Sequence, residues 1–233
     1  SNGVRPVFRL RTRSGHEIEA TDNHPMLTNE GWKEVKDLKE GNLVAIAPKV
    51  PFFGDRKDLS EKEAALLGYM SSQSFFSAGG HVGIATDDID AVNDFFQKAQ
   101  ELYGNNVEMG KASEYSVSAA SMSKKPFSYV CLQNCKEPSA TSTKQAVKNC
   151  NNLPCLFLIN GLKDKDSEHK FVPVRIDQAP REIIESYLRA LFSADGSIIE
   201  NRDQFSIEMY VGNRDMVLQL QRLLQRFTIF SSF

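Results

Sequence analysis

The strongest constraint on the fold is an internal repeat, because the order helix, hairpin, helix occurs twice along the chain. The first copy opens with a capping box at residues 60–63, and its second helix is predicted over residues 89–103. The second copy opens at Pro180, a residue favoured in the first turn of a helix, and closes with a helix over residues 213–227. A duplicated sequence unit indicates a duplicated structure. We therefore expect a pseudo-two-fold body of mixed α and β structure.

Small residues predict how the first helices of the two copies pack. Gly68 and Ser72 lie four apart on one helix, and Ala190 and Ala194 lie four apart on the other. Small side chains at this spacing share a helix face and let two backbones approach closely. This packing would bring the last residues of the two helices together, Gln73 on the first and Asp195 on the second.

The first 52 residues follow a different, β-rich pattern. Apolar and charged residues alternate over residues 8–20 on both sides of Gly15, which is typical of a hairpin. The expected register places Arg9 opposite Glu19.

A Thr-x-x-His pattern follows this hairpin directly. Thr21 and His24 could address one peptide group together, with the imidazole donating to a strained amide and the hydroxyl fixing it. Taken alone, a histidine before Pro25 is more typical of a turn than of a catalyst.

The sequence TRSGHEIEATDNHPMLTNEGWKEVKDLKEGNLVAI resembles the N-terminal splicing region of inteins, a Hint-type domain, and especially inteins of bacterial replicative DNA helicases. The resemblance implies a partial Hint domain over residues 1–52, in which Thr21 and His24 assist the first acyl shift. It also implies host protein segments (exteins) in cis. The chain shows neither the upstream nucleophile nor the His-Asn ending of that family, so we expect a fragment that does not splice.

The large segment, residues 59–233, resembles the LAGLIDADG (DOD-type) homing endonucleases found within inteins. The resemblance lies in YLRALFSADGSI at the second helix, in SEHKFVP before it, and in LLGYMSSQSF at the first helix. It implies αββα-type repeats in which an acid at the end of each helix holds Mg²⁺ or another divalent cation. Asp195 would be one metal ligand, whereas Gln73 occupies the other acid position. Lys170 in the SEHKFVP block would stabilise the developing phosphate charge, although a loop lysine can also be simply solvated.

A neutral amide at Gln73 removes one of the two charges that would attract the metals. Loss of a group that acts in the transition state costs ~3 kcal/mol, or ~10²-fold in rate. We therefore expect an endonuclease that is impaired or nicks only one strand. A second interpretation stays open, namely a non-catalytic DNA-binding or structural remnant that links the halves of a splicing element.

Composition adds limits to this interpretation. Hydrophobic residues make up 41% and charged residues 25% of the 233 residues, which excludes a disordered chain. The net charge of −2 gives no general attraction to DNA. Binding to double-stranded DNA would then depend on local basic residues, and the candidates are Lys124, Lys125, Lys144, Lys148 and Arg202.

The four cysteines are too few for a disulfide scaffold and indicate a reducing cytoplasm. Zinc binding by these cysteines is a weaker alternative, because their spacing departs from that of zinc ribbons. We expect a monomer that is not bound to a membrane. Since the second copy of the repeat is short, we also expect a C-terminally truncated domain in which Phe230 and Phe233 lack partners.

Overall fold

A computed structural model describes residues 4–76, 81–86, 88–104, 107–110, 129–134, 153–162, 165, 168–201 and 204–233. The chain forms two compact units. The first comprises Ser1–Phe52 together with Val217–Phe233, and the second comprises Phe53–Met216.

The first unit opens with an antiparallel hairpin of strands β1 (Val7–Arg11) and β2 (Glu17–Thr21). Its register pairs Arg9 with Glu19, as predicted, and Arg9 Nη2 lies 2.7 Å from Glu19 Oε1. The turn between the strands contains Gly15 with a φ of +87°, a left-handed conformation that favours glycine.

A second hairpin follows, formed by strands β3 (Pro25–Thr28) and β4 (Gly31–Glu34). A single isolated bridge joins Thr28 to Val44. The unit is therefore built from small antiparallel sheets, and its assignment to the Hint fold stays a prediction.

The C-terminal tail packs on the β1–β2 hairpin within the same unit. The ring of Phe230 stacks on His16, with centroids 5.3 Å apart, and Phe233 lies against the turn at Gly15. Gln221 is buried and donates from Nε2 to the carbonyls of Ser14 and Ser231, each at 3.0 Å. The expectation that these two phenylalanines lack partners is therefore wrong, because residues from Val217 onward pack with the N-terminal unit.

The second unit is organised around helices α1 (Glu61–Gln73) and α5 (Arg181–Asp195). The capping box predicted at the start of α1 is confirmed, since Ser60 Oγ accepts from Glu63 N and Glu63 Oε2 accepts from Ser60 N. Apolar side chains of both helices form the core, and the fully buried ones include Leu66, Leu67, Met70, Ile184, Tyr187 and Leu191.

Each of these helices runs into strands and then into another helix, in agreement with the predicted repeat. After α1 come β5 (Ser74–Phe76), β6 (His81–Thr86) and α2 (Ile89–Tyr103). After α5 come β9 (Gly196–Asn201), β10 (Gln204–Met209) and α6 (Arg214–Arg226).

The two copies differ in their sheets. The described strands of the first copy form a four-stranded antiparallel sheet of order β5-β6-β8-β7, with β7 at Val107–Gly110 and β8 at Tyr129–Asn134. In the second copy β9 and β10 form a two-stranded hairpin. Among the described residues between the copies, the chain forms two short helices, α3 (Leu153–Ile159) and α4 (Val174–Asp177).

The architecture is mixed α and β, as predicted from the repeat. The boundaries predicted at residues 52 and 59 stay a prediction about domains. No helix in the described part of the chain has both the length and the apolar character needed to span a bilayer.

Candidate functional site

Helices α1 and α5 approach each other most closely at Gly68. A Cβ atom at this position would lie 2.3 Å from the Tyr187 carbonyl oxygen and 3.0 Å from the Ala190 Cβ. Only glycine therefore permits this approach, which confirms the close packing predicted from the small residues. Burial raises the pKa of Tyr187 above its ordinary value, so its phenol stays neutral in the helix interface.

The two helices run in the same direction. Ser186 Oγ donates to the carboxylate of Glu61 at 3.4 Å near the start of α1, and further along a Cβ at Gly68 would lie 3.1 Å from the Leu191 nitrogen. Beyond this contact α1 continues for five residues to Gln73 and α5 for four to Asp195, which is about 6–8 Å at 1.5 Å per residue. Both helices therefore end at the same end of the pair, and Asp195 is half-buried there.

Neither helix ends in a left-handed capping residue. Ser74 after α1 and Gly196 after α5 both have extended backbone, with φ of −77° and −74°, so each helix passes directly into a strand. The last carbonyl groups of an α-helix have no partner within the helix and carry partial negative charge. The two ends therefore need donors or cations from elsewhere.

Lys170 provides such a donor. Its side chain is only 7% exposed, and its Nζ donates to the carbonyl oxygen of Ser72 in the last turn of α1 at 2.6 Å. From the sequence, Lys170 is expected in a loop, where it would either stabilise phosphate charge or be solvated. The structure excludes the solvated alternative and places this lysine at the end of α1.

Asn213 holds the backbone of Lys170 in place. Asn213 Nδ2 donates to the Lys170 carbonyl at 2.8 Å, and its Oδ1 accepts from the backbone N–H of Met216 at 2.9 Å. The sequence carries no signal for the bond of Asn213 to Lys170, which depends on a segment 43 residues away.

Thr21 and His24 lie in the other unit, in the tight turn between β2 and β3. The His24 N–H donates to the Thr21 carbonyl at 3.1 Å, and Thr21 Oγ1 donates to Asn23 Oδ1 at 2.9 Å. The imidazole of His24 is exposed. The Thr-x-x-His pattern therefore forms a compact turn that presents the histidine at the surface, and its part in splicing stays a prediction.

The five basic residues predicted to contact DNA lie outside the described residues: Lys124, Lys125, Lys144, Lys148 and Arg202. Their role stays a prediction.

The cysteines depart from the sequence expectation. Cys155 in α3 is fully buried and disulfide-bonded, which makes its sulfur unavailable to zinc and differs from the reduced thiols expected. In the described part of the chain, no three His, Cys, Asp or Glu residues cluster as a metal site would require.

The residues at the paired helix ends do not fit a pair of divalent cations. Mg²⁺ and Ca²⁺ prefer several oxygen ligands, carboxylates above all. Here α5 ends in Asp195, α1 ends in the neutral amide residue Gln73, and the ammonium of Lys170 already bonds the carbonyl of Ser72. The ammonium of Lys170 offsets the charge of the one carboxylate, so these side chains offer no surplus negative charge to a divalent ion.

Comparison with known sequences adds family information. Residues 167–233 match the sequence profile of a family described as "LAGLIDADG-like domain". The chain is 30% identical over 199 residues to the replicative DNA helicase DnaB of Nostoc sp. (strain PCC 7120), which covers 85% of this chain and 20% of that protein.

Two other relatives match in the same way. The DnaB helicase of Rhodothermus marinus is 28% identical over 84% of this chain and 19% of its own length. A DNA gyrase protein of Mycobacterium leprae is 25% identical over 99% of this chain and 17% of its own length. The chain thus spans about a fifth of the length of each of these relatives.

Proposed function

We propose that this chain, whose C-terminal part is a LAGLIDADG-like domain, is the endonuclease-bearing part of an intein inserted in a DnaB-type replicative helicase. Its activity would be to bind one long, specific site in double-stranded DNA. Two different proteins, a helicase and a gyrase, each match the chain over only a fifth of their length or less. A segment shared by otherwise different proteins is what an inserted element predicts.

The observation that carries the proposal is the pair of helices α1 and α5. They belong to two copies of one repeat, they pack at Gly68, and both end at the same end of the pair. Corresponding positions at the ends of two paired helices suit a duplex, because its two strands are also related by approximate two-fold symmetry. Gln73 and Asp195 occupy these two positions.

The same positions support impaired cleavage. Of these two residues, Asp195 alone can take a proton from an attacking water or attract a cation, since Gln73 is neutral and does not act as a base. Loss of one such group lowers the rate by ~10²-fold or more. Divalent metal supplies Lewis-acid chemistry in the family, but the residues present do not fit a metal pair, so cleavage of both strands is not expected. Nicking with Asp195 as the acting group is the largest activity we propose.

A second candidate function is supported by the same site. A non-catalytic remnant would still bind DNA through phosphate contacts, which need basic residues and no metal. The engagement of Lys170 by the carbonyl of Ser72 favours this alternative, because this ammonium would have to leave that carbonyl to reach a phosphate.

For the first unit we propose the splicing role that the resemblance implies. His24 would donate to the amide at the upstream junction and Thr21 would position it, within host exteins in cis. The exposed imidazole and the compact turn support this role. As part of such a helicase, the chain would act as a monomer in the cytoplasm.

The test uses a duplex with the sequence of an uninterrupted helicase gene across the insertion point, together with a supercoiled plasmid that carries it. We expect a gel shift that persists in EDTA and that weakens steeply as salt is raised. With Mg²⁺ or Mn²⁺ we expect no linear plasmid and at most slow nicking.

Variants at the helix ends separate the two candidate functions. Asp195→Asn should abolish any nicking, whereas Glu182→Gln, an exposed carboxylate in the first turn of the same helix, should leave it unchanged. Gln73→Asp should raise cleavage by ~10²-fold if the acid position is the main defect. Binding without nicking in every variant would favour the non-catalytic remnant, and absence of specific binding would refute both candidates.

A further inference from the structure

The ends of α1 and α5 form an electronegative place in the protein. Each helix end carries about half a negative charge on its last carbonyls, and the two ends lie on the same side of the pair. Asp195, half-buried at the end of α5, adds a full negative charge. A cation at this end is therefore favourable, whatever the function of the protein.

Lys170, from a distant part of the sequence, places its ammonium at the end of α1. It lies 98 residues from Ser72, yet its Nζ is 2.6 Å from the Ser72 carbonyl oxygen, the short distance typical of a charge-assisted hydrogen bond. Ser72 is the residue next to Gln73, so the ammonium lies one residue from the degenerate acid position.

The surroundings of Lys170 fix this placement. The side chain is 7% exposed, and the nearby Val172 is 4% exposed. The Lys170 carbonyl accepts from Asn213, which also starts helix α6 through its bond to Met216. A buried ammonium is costly unless it is bonded, so this arrangement is built into the fold.

We infer that Lys170 is the resident cation of the paired helix ends: its ammonium holds the end of α1 and takes the place that a divalent ion would otherwise fill. The helix ends are then stable without divalent metal, and DNA binding does not need it. The inference rests on the proposed function only for the statement about DNA, and its test uses the free protein.

The test measures the melting temperature of the chain against added Ca²⁺ or Mg²⁺, with ionic strength held constant by KCl. A ligand that binds only the folded state raises the melting temperature as its concentration increases. For the unmodified chain we expect no saturable rise up to millimolar ion.

Lys170→Met removes the cation and should lower the melting temperature by about 3–12 °C, because a charge-assisted bond to a buried carbonyl is lost. Millimolar Ca²⁺ should then restore part of this loss, and the restoration should disappear in Lys170→Met combined with Asp195→Asn. Lys165→Met, a change at an exposed lysine of the same segment, should have no effect in either condition. Recovery of the melting temperature by Ca²⁺ would show that Lys170 supplies positive charge at the helix ends, whereas a lysine that contributes only packing would not be replaced by an ion.

Two results would overturn the inference. One is a saturable rise of the unmodified chain's melting temperature with Ca²⁺ that Asp195→Asn abolishes, since the site would then bind a divalent ion beside Lys170. The other is a Lys170→Met variant that is destabilised without any response to divalent ions. If Lys170→Met does not fold, the titration of the unmodified chain decides alone. Loss of specific DNA binding would count against the proposed function and leave these ion measurements unaffected.

Discussion

Replacing Gly68 with alanine tests the close packing of α1 and α5 on which the candidate site depends. Glycine in the middle of a helix is intrinsically unfavourable, so at an ordinary helical position this substitution would stabilise the protein by about 1 kcal/mol. At Gly68 the new methyl group would lie 2.3 Å from the Tyr187 carbonyl oxygen and 3.1 Å from the Leu191 nitrogen. Both obstacles are backbone atoms, which cannot rotate away as a side chain can.

The expected magnitude follows from these distances. A distance of 2.3 Å is roughly 1 Å shorter than van der Waals contact, so α1 and α5 must separate by about that amount, which weakens the dispersion contacts along the whole interface. Overpacking of this kind costs up to about 3 kcal/mol. After the gain in helix propensity, we expect a net loss of about 2 kcal/mol, or about 4–8 °C in the melting temperature.

The assay is urea unfolding followed by circular dichroism, with a matched pair of variants as the control. Ser193 is exposed on α5, so the difference between Ser193→Ala and Ser193→Gly reports helix propensity alone and should favour alanine by about 1 kcal/mol. At Gly68 the sign should reverse. A Gly68→Ala variant as stable as the unmodified chain, or more stable, would refute the close approach of the two helices.

Two further predictions concern the ends of other elements. Ser60→Ala removes the oxygen that accepts from Glu63 N at 3.2 Å and should lower the free energy of unfolding, measured by urea denaturation, by about 1 kcal/mol. An unchanged free energy would mean that this cap does not stabilise the protein in solution. Burial lowers the pKa of His16 below 6.5, so below pH 6.5 the unfolded chain takes up the proton before the folded chain does. The stability linked to His16 is thus complete above about pH 6.5 and falls as the pH drops through the lower folded-state pKa. His16→Gln should flatten this dependence between pH 7.5 and 5.5, and an identical slope in both proteins would contradict the assignment.

Local features of the structure were accessible from the sequence. The capping box at Ser60 and the pairing of Arg9 with Glu19 depend on residues a few positions apart or on one hairpin, and both are confirmed. The repeat and the small residue Gly68 correctly predict the packing of α1 with α5, because a repeat relates two helices that are far apart in the sequence.

Other features required the tertiary structure. The hydrogen bond from Lys170 to Ser72 joins segments 98 residues apart, and no local pattern distinguishes this lysine from a solvated one. The packing of Phe230 on His16 joins opposite ends of the chain, where the sequence predicted an unpartnered aromatic ring. The disulfide of Cys155 likewise depends on which chain segments meet.

The division between the two groups has a physical reason. Turns, caps and hairpin registers are decided by interactions within one or two elements, so residue types and their spacing are sufficient to predict them. The partner of a buried polar group is decided by which segments the core brings together, and many sequences with the same local pattern leave that choice open. The helix ends at Gln73 and Asp195 could therefore be predicted from the sequence, whereas the bond of Lys170 to the end of α1, with its backbone held by Asn213, became apparent only in the folded chain.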